Sequence, residues 1–413
     1  MEKVIVRFLF IIDDYMPAST RVGAKMLHEL AVHFVDKGHE VVVLTPDSDI
    51  NNKLEKSTLD GVNVWRFKSG RLKDVPYVRR AINEIRLSYL GWKAIKGELK
   101  IGTSFDAVIY YSPSIFFGHL VKNLKKYSRC KSYLILRDLF PQWVIDDGIL
   151  RPNSPITKFF RYFEKINYNS ADVIGVMSPK NKNVFNKNNQ HSNVEVLYNW
   201  ASLKKTVPSN KVLIREELDL DDKVIFFYGG NIGKAQDMLN LMRLAESMLC
   251  YDNAHFLFVG QGDEYELIKR FAADKKLINT TILPSVNQEK FKEILACVDI
   301  GLFSLAKTHS AHNFPGKLLG YMNSCIPILG SVNEGNDLIE VVNNRCAGHV
   351  SVNGEDEKLL TNAIELLKDN RLREQMGSNA HELLKKEFSI ESAYETIIKG
   401  VKSENSLHSR RNS

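Results

Sequence analysis

The sequence predicts an α/β protein made of two Rossmann-like, doubly wound domains. Three observations carry this expectation. The chain opens with a strand, a loop, a helix, a glycine and a second strand, the order of a parallel βαβ unit. After a polar stretch from Lys204 to Asn210 that contains Pro208, the same order restarts at Val224. A chain of 413 residues is also too long for one ordinary domain and fits two. The expected division is 1–203, 211–388, a closing helix over 389–401 that packs back toward the first domain, and a disordered tail over 402–413.

Val4 to Ile12 is an apolar run broken once by Arg7, suited to a strand buried on both faces. It ends at Asp13-Asp14-Tyr15-Met16-Pro17-Ala18-Ser19-Thr20-Arg21. Met26, Leu27, Leu30, Ala31, Phe34 and Val35 then mark one helix face, which stops at Gly38 before a strand at Glu40 to Leu44. The first loop has no Gly-x-Gly-x-x-Gly, which argues against a nicotinamide dehydrogenase. Ala107 to Tyr111 and Ser132 to Leu136 read as strands around a helix at Ile115 to Lys126. The second of these strands runs into Arg137-Asp138. An aromatic-rich helix (Phe159, Phe160, Tyr162, Phe163) precedes strands near Val173 and Val194.

In the second half, strand Val224 to Tyr228 runs into Gly229-Gly230-Asn231-Ile232-Gly233-Lys234-Ala235-Gln236-Asp237, and a helix follows. Further strands are expected at Phe256 to Val259, Thr281 to Leu283 and Ile300 to Phe303. The next helix starts at Pro315-Gly316, because a first turn needs no backbone N–H from proline, and Ile326 to Leu329 is the strand after it. Helices Glu355 to Lys368, Arg371 to Glu387 and Ile390 to Val401 complete the chain.

The composition, 44% hydrophobic and 25% charged, is that of a soluble globular protein. No run is long enough to span a membrane, and the start lacks the layout of a signal peptide. Five scattered cysteines without a Cys-x-x-Cys pair suit a reducing cytoplasm and suggest no metal site. The net charge of +7 is uneven: residues 1–205 hold 32 Lys/Arg against 20 Asp/Glu, and residues 206–413 hold 24 against 29. Residues 66–100 alone hold ten basic and three acidic residues, interleaved with Tyr77, Val78, Tyr89, Leu90 and Trp92. Such a segment fits an anionic membrane surface. A solvated helix face is the plainer alternative, and no nucleic-acid motif accompanies the charge.

Ligands of open α/β sheets bind beyond the carboxyl ends of the strands. Gly230, Asn231, Gly233, Lys234 and Gln236 after one strand, Gly260 and Gly262 after the next, and Ser285 and Val286 after a third should therefore converge. The helix start at Asn313-Phe314-Pro315-Gly316-Lys317 adds unpaired N–H groups and a full positive charge, with His312 just upstream. Two phosphate-facing turns in one domain suit a nucleoside diphosphate.

The runs Gly229 to Gln236, Ala171-Asp172-Val173-Ile174 through Ser178, Leu197-Tyr198-Asn199 and Phe314 to Met322 resemble the GT-B glycosyltransferases of family 4 in bacterial polysaccharide synthesis. The opening Asp13 to Pro17 with Ser19-Thr20-Arg21 resembles the subgroup of N-acetyl-L-fucosamine transferases of O-antigen and capsule assembly. The resemblance implies two domains facing across a cleft, with a UDP-sugar held by the second. It implies a polyprenyl-diphosphate-linked glycan acceptor at the first, and Asp13, Ser19, Thr20 and Arg21 on that acceptor side. It further implies no cofactor, no essential metal, and work at the inner face of the cytoplasmic membrane. The family's diphosphate-binding Arg stands as Asn231 here, and its paired Glu positions as His312 and Gly320.

Lys317 should neutralise the departing diphosphate. Asp138 is a candidate acceptor base or orienting group. Arg137 is a candidate for holding phosphate or sugar, or a salt-bridge partner, and His312 for orienting the donor. A nucleotide-sugar epimerase on the same fold and a non-catalytic partner subunit remain as alternatives, since a fold alone does not fix function.

Overall fold

The computed structural model describes residues 6–19, 21–146, 148–203, 213–308 and 314–402. The chain divides into two compact units: unit 1 is Met1–Trp200 with Ile390–Ser413, and unit 2 is Ala201–Ser389.

Unit 1 begins with β1 (Arg7–Ile11), α1 (Val22–Asp36), β2 (Glu40–Asp47), β3 (Leu54–Leu59) and β4 (Val62–Lys68). Next come α2 (Tyr77–Ile85), α3 (Leu87–Lys100), β5 (Ala107–Ser112), α4 (Gly118–Ser128) and β6 (Lys131–Leu136). It continues through α5 (Gln142–Asp146), α6 (Pro155–Ser170), β7 (Val173–Val176), α7 (Pro179–Asn188) and β8 (Val194–Val196). The eight strands form one sheet in the order β3-β4-β2-β1-β5-β6-β7-β8, parallel except for the β3–β4 hairpin. The apolar run of β1 has a direct cause. Leu9 and Ile11 enter one core while Phe8 and Phe10 enter the other, so all four positions after Arg7 at the strand's start are apolar.

The basic stretch 66–100 is not one amphipathic segment. Arg66 and Lys68 belong to β4, and Arg66 is engaged internally by Asp47 at 3.4 Å and by the Met16 carbonyl at 2.6 Å. The hairpin before it turns at Asp60-Gly61, both at positive φ (47° and 80°), the two-residue turn that Asp-Gly favours. Trp92 packs against the core rather than facing out.

Unit 2 starts with α8 (Leu213–Glu217), β9 (Val224–Asn231), α9 (Met238–Ser247), β10 (Ala254–Gln261) and α10 (Tyr265–Asp274). It continues with β11 (Thr280–Leu283), α11 (Gln288–Leu295), β12 (Ile300–Ser304), α12 (Gly316–Asn323) and β13 (Ile328–Val332). The unit ends with α13 (Leu338–Asn343), β14 (Gly348–Val352), α14 (Asp356–Lys368) and α15 (Asn370–Glu387). Its six strands run in the order β11-β10-β9-β12-β13-β14, all parallel. β13 begins two residues later than expected, because Cys325 takes a left-handed turn (φ 55°) and Ile326 N–H still bonds back to Tyr321.

The last helix, α16 (Ile390–Val401), belongs to unit 1 and packs on α1. Ala393, Ile397 and Val401 join the core there, and Glu391 accepts from Lys37 Nζ (2.6 Å) and meets His33 Nε2 (3.0 Å). In each unit the strand order reverses at one point, between β1 and β5 and between β9 and β12. Crevices for ligands open beyond the carboxyl ends of strands at such points.

Candidate functional site

β9 and β10 stay paired to their ends, with Gly230 opposite Gly260 and Asn231 opposite Gln261. This close approach is possible only without side chains: a Cβ on Gly260 would lie 1.9 Å from the Gly230 carbonyl oxygen. Beyond the strand ends lies a cavity of about 270 Å³. Of the residues expected to bind a donor, Gly230, Asn231, Gly260, Ser285 and Val286 line it. Gln261, between the two expected glycines, lines it as well, and so do Val259 and Phe291, which were not anticipated. Ser285 Oγ donates to Gln261 Oε1 at 2.9 Å, tying the third strand end to the second. Gly229 makes room for the Phe291 ring, which a Cβ would meet at 2.6 Å.

The rest of the glycine-rich run forms the rim's support. Asn231 Nδ2 donates to Gln236 Oε1 (2.9 Å), Gly233 packs under Asp263, and Gly262 leaves space for the Ile232 carbonyl. Lys234 is exposed on the short turn between them. The back of this run is pinned by Asn353 Nδ2, which donates to Asp237 Oδ2 at 2.9 Å, and by Ala306 N–H on the Ala235 carbonyl.

Lys317 is the second residue of α12, and its side chain turns inward. Nζ is buried, and among the described residues it has neither a hydrogen-bond partner nor an ion pair. It lies 3.4 Å from the centre of the Tyr228 ring, whose face attracts a cation. Gly230 stands directly over it: a Cβ there would be 3.7 Å from Lys317 Cε. Desolvation lowers the Lys317 pKa from its ordinary 10.5 to about 7. Tyr228 O–H donates to the Asn231 carbonyl, and its pKa is raised by burial, so the ring is a neutral neighbour.

Tyr321, one turn along α12, holds this geometry. Its hydroxyl accepts from Gly229 N–H (3.3 Å) and faces the carbonyls of Phe227 (3.2 Å) and Leu302 (3.1 Å). Helix, β9 and β12 therefore meet at one buried oxygen. Pro315 caps α12 without a side-chain hydrogen bond, and among the described residues nothing lies within 4 Å of where a Cβ on Gly316 would stand. Phe314 needs correction as a donor contact. It is 7% exposed and its ring lies 4.3 Å from that of Phe388, so it is a packing residue. His312 and Asn313 lie outside the described residues.

In unit 1, Asp13 is buried at the end of β1 with Lys73 Nζ 3.0 Å away. Ser19 Oγ donates to Asp14 Oδ2 (2.8 Å) and accepts from Arg21 N–H (3.2 Å). The Arg21 guanidinium is near Asp14 (3.7 Å) and Asp74 (3.9 Å). Thr20 is outside the described residues. Behind this loop runs a chain not foreseen from sequence, from buried Tyr15 O–H to His28 Nδ1 (2.7 Å) and from His28 Nε2 out to exposed Asp60 (2.9 Å).

Arg137 also needs correction. Its two terminal nitrogens donate to the carbonyls of Leu197 (2.7 Å) and Tyr198 (3.1 Å), and the group lies 5.3 Å from the Trp200 ring. Burial lowers its pKa to about 10. It braces the chain inside unit 1 rather than holding phosphate or sugar. Asp138 keeps solvent contact, yet its pKa is raised by desolvation and by the charge of Asp13, with Arg137 opposing. Tyr111 is pushed up to about 12, chiefly by burial. Among the described residues, no group of three or more His, Cys, Asp or Glu side chains is placed to hold a metal ion.

Residues 210–383 match the family model described as glycosyl transferases group 1. The probable glycosyltransferase WbjE of Pseudomonas aeruginosa is 23% identical over 51% of this chain, which spans about half of WbjE (54%). The putative colanic acid biosynthesis glycosyl transferase WcaI of Escherichia coli K12 is 23% identical over 74% of this chain and 78% of its own length. Among solved structures, Anabaena Alr3699/HepE in complex with UDP and glucose superposes with a TM-score of 0.64 at 14% identity, covering 95% of this chain and 98% of that one. The likeness shows the fold: two Rossmann-like units of the GT-B type.

Proposed function

We propose that the protein is a glycosyltransferase that moves a sugar from a UDP-sugar to a lipid-linked glycan in the assembly of bacterial surface polysaccharide. One observation carries the reading: the Lys317 ammonium is buried beside the unit 2 cavity, without an anionic partner among the described residues. A desolvated charge is costly until a counter-charge arrives. A diphosphate that leaves during the reaction is the anion for which such a charge does most. The names of WbjE and WcaI and the UDP complex of the Anabaena protein support the same choice. Unit 2 takes the donor, and unit 1 takes the acceptor at Asp13, Ser19, Arg21 and Asp138. The transferred sugar is an N-acetylated amino sugar such as N-acetyl-L-fucosamine, and the acceptor is a polyprenyl-diphosphate-linked glycan.

The protein works on the inner face of the cytoplasmic membrane. Among the described residues, no helix is long and apolar enough to cross a membrane. The surface that suits docking is on unit 1, where α3, α4 and α6 cover one face of the sheet. Val78 (74% exposed), Ile82 and Tyr89 project from α2 and α3, and Ile156, Phe159 and Tyr162 from α6. Arg79, Arg86, Lys93 and Lys96 are exposed among them. Phe160 and Phe163 turn inward onto Phe116, so only part of the aromatic helix is available.

Mass spectrometry of products from a panel of UDP-sugars, with and without a lipid-linked acceptor, tests the function. A glycosylated product that needs both substrates supports it; an epimerised nucleotide sugar without acceptor, or no turnover at all, contradicts it. Lys317 and the positive N-terminal end of α12 supply the electrostatic stabilisation that a metal gives elsewhere. Transfer is therefore expected to continue in excess chelator, and a strict need for magnesium or manganese would contradict that part.

A further inference from the structure

A second cavity, of about 430 Å³, is lined by residues of unit 1. Small-molecule sites span about 300–1,000 Å³, so its size is that of a binding site. Pro17 and Ala18, on the loop after β1, form one wall, and Ser57, Thr58 and Leu59 of β3 form the other. Arg66 of β4 joins the two. One of its terminal nitrogens donates to the Met16 carbonyl (2.6 Å) and the other to Ser57 Oγ (3.2 Å), while Nε meets Asp47 at 3.4 Å. The walls are also braced from behind, because His28 of α1 links Tyr15 on the loop to Asp60 at the hairpin turn (2.7 and 2.9 Å). The cleft is therefore formed before a ligand enters, which lowers the ordering cost of binding.

The lining fixes the chemistry of the occupant. A guanidinium has five N–H groups, and the three contacts of Arg66 among the described residues leave N–H groups over for a ligand. Ser57 Oγ accepts from Arg66 and keeps its own proton to donate. Pro17, Ala18 and Leu59 offer C–H surface. The charge of Arg66 is already matched by Asp47, so the cavity does not call for an anion. A lipid chain would leave the Arg66 and Ser57 groups without partners, which is costly. A ring with hydroxyls at its edge and C–H groups on its face meets every demand. We propose that this cavity is a subsite for an uncharged sugar unit of the acceptor glycan, with Arg66 and Ser57 as its hydrogen-bonding groups. The inference rests on the reading that unit 1 receives the acceptor, and it deepens that reading: Pro17 and Ala18 belong to the same loop as Asp13, Ser19 and Arg21.

Saturation-transfer NMR on the ligand-free full chain tests the cavity without turnover, with methyl glycosides of neutral hexoses and N-acetylhexosamines as probes. At least one glycoside should receive saturation, and inorganic phosphate should not displace it. Replacing Arg66 would loosen both walls, so the variants are placed at exposed positions: Ala18→Trp fills the cleft and Ser57→Ala removes one hydroxyl. Ala18→Trp should abolish the glycoside signal, and Ser57→Ala should weaken binding roughly threefold to tenfold, the worth of one neutral hydrogen bond. In transfer assays Ala18→Trp should raise KM for the lipid-linked acceptor about tenfold or more, with KM for the UDP-sugar unchanged. Absence of saturation for every glycoside, displacement by phosphate, or equal signals in wild type and Ala18→Trp would overturn the proposal. Glycoside binding that Ala18→Trp abolishes, in a protein that transfers to no acceptor, would overturn the acceptor reading and leave the sugar cavity standing, which keeps the two failures apart.

Discussion

The two units treat charge in opposite ways at the carboxyl ends of their sheets. In unit 1 the chain supplies its own partners: Lys73 for Asp13, Asp14 for Arg21, backbone carbonyls for Arg137. In unit 2 the buried ammonium of Lys317 meets an aromatic ring and, among the described residues, no hydrogen-bond partner. A matched site is stable as it stands, whereas an unmatched buried charge lowers stability until a ligand arrives. On the proposed reading, the contrast means that unit 2 is built to receive an anionic ligand beside Lys317. Unit 1 instead holds its polar groups in place by contacts within the chain.

Removing the unmatched charge should have the largest effect. Lys317→Met keeps the aliphatic stem, and transfer is expected to fall on the order of 10²-fold or more, the cost of losing one preorganised transition-state group. The ligand-free variant should also melt higher by a few degrees, because the desolvation penalty goes with the ammonium. Kinetics and a thermal melt on the same preparation check both signs. A variant that is both inactive and less stable would show that Lys317 is structural.

Reversing charge on the other unit should leave the donor site alone. With about 1 kcal/mol per basic residue near an anionic surface, Arg79→Glu, Arg80→Glu and Arg86→Glu together should cut vesicle binding by roughly a hundredfold. UDP affinity should stay within error, and added salt should weaken wild-type binding. Equal sedimentation of variant and wild type on anionic vesicles would leave these helices as an ordinary solvated surface.

The pH dependence follows from the same lysine. Between its folded value of about 7 and the ordinary 10.5, the unfolded chain holds a proton that the ligand-free folded chain has lost. The Lys317 contribution to stability therefore rises with pH through that window and is least favourable below it. On the proposed reading UDP binds the charged form, so affinity should fall up to about tenfold per pH unit above 7 in wild type. In Lys317→Met both slopes should vanish, which calorimetry at pH 7, 8 and 9 would show.

The smallest change concerns the oxygen that joins α12 to β9 and β12. Tyr321→Phe leaves Gly229 N–H without its acceptor in a buried place, a loss of about 1–3 kcal/mol. Denaturant unfolding should register it, with a modest rise in KM for the donor. An unchanged midpoint would remove Tyr321 from the account.

The strands were legible because a central strand buried on both faces admits no polar residue, as Phe8 to Ile11 shows. The glycine run was legible because close strand approach and tight turns restrict residue type, as at Gly260. What sequence could not show was depth and long-range pairing. Lys317 reads as a phosphate-facing charge, but its depth and its place 3.4 Å from the Tyr228 ring carry no sequence signal. Phe314 meets Phe388, Asp13 meets Lys73, and Arg137 meets Leu197 across stretches with no periodic signal. The hairpin at Asp60-Gly61 did carry a local signal, masked by the polar residues of its exposed edge strand β3.

The most direct test of the central claim is a titration of UDP into wild type and Lys317→Met at pH 7, followed by calorimetry. The account expects wild type to bind with uptake of a fraction of a proton, and the variant to bind at least about tenfold more weakly with none. Equal affinity in the two proteins, or wild-type binding with no proton uptake, would contradict it.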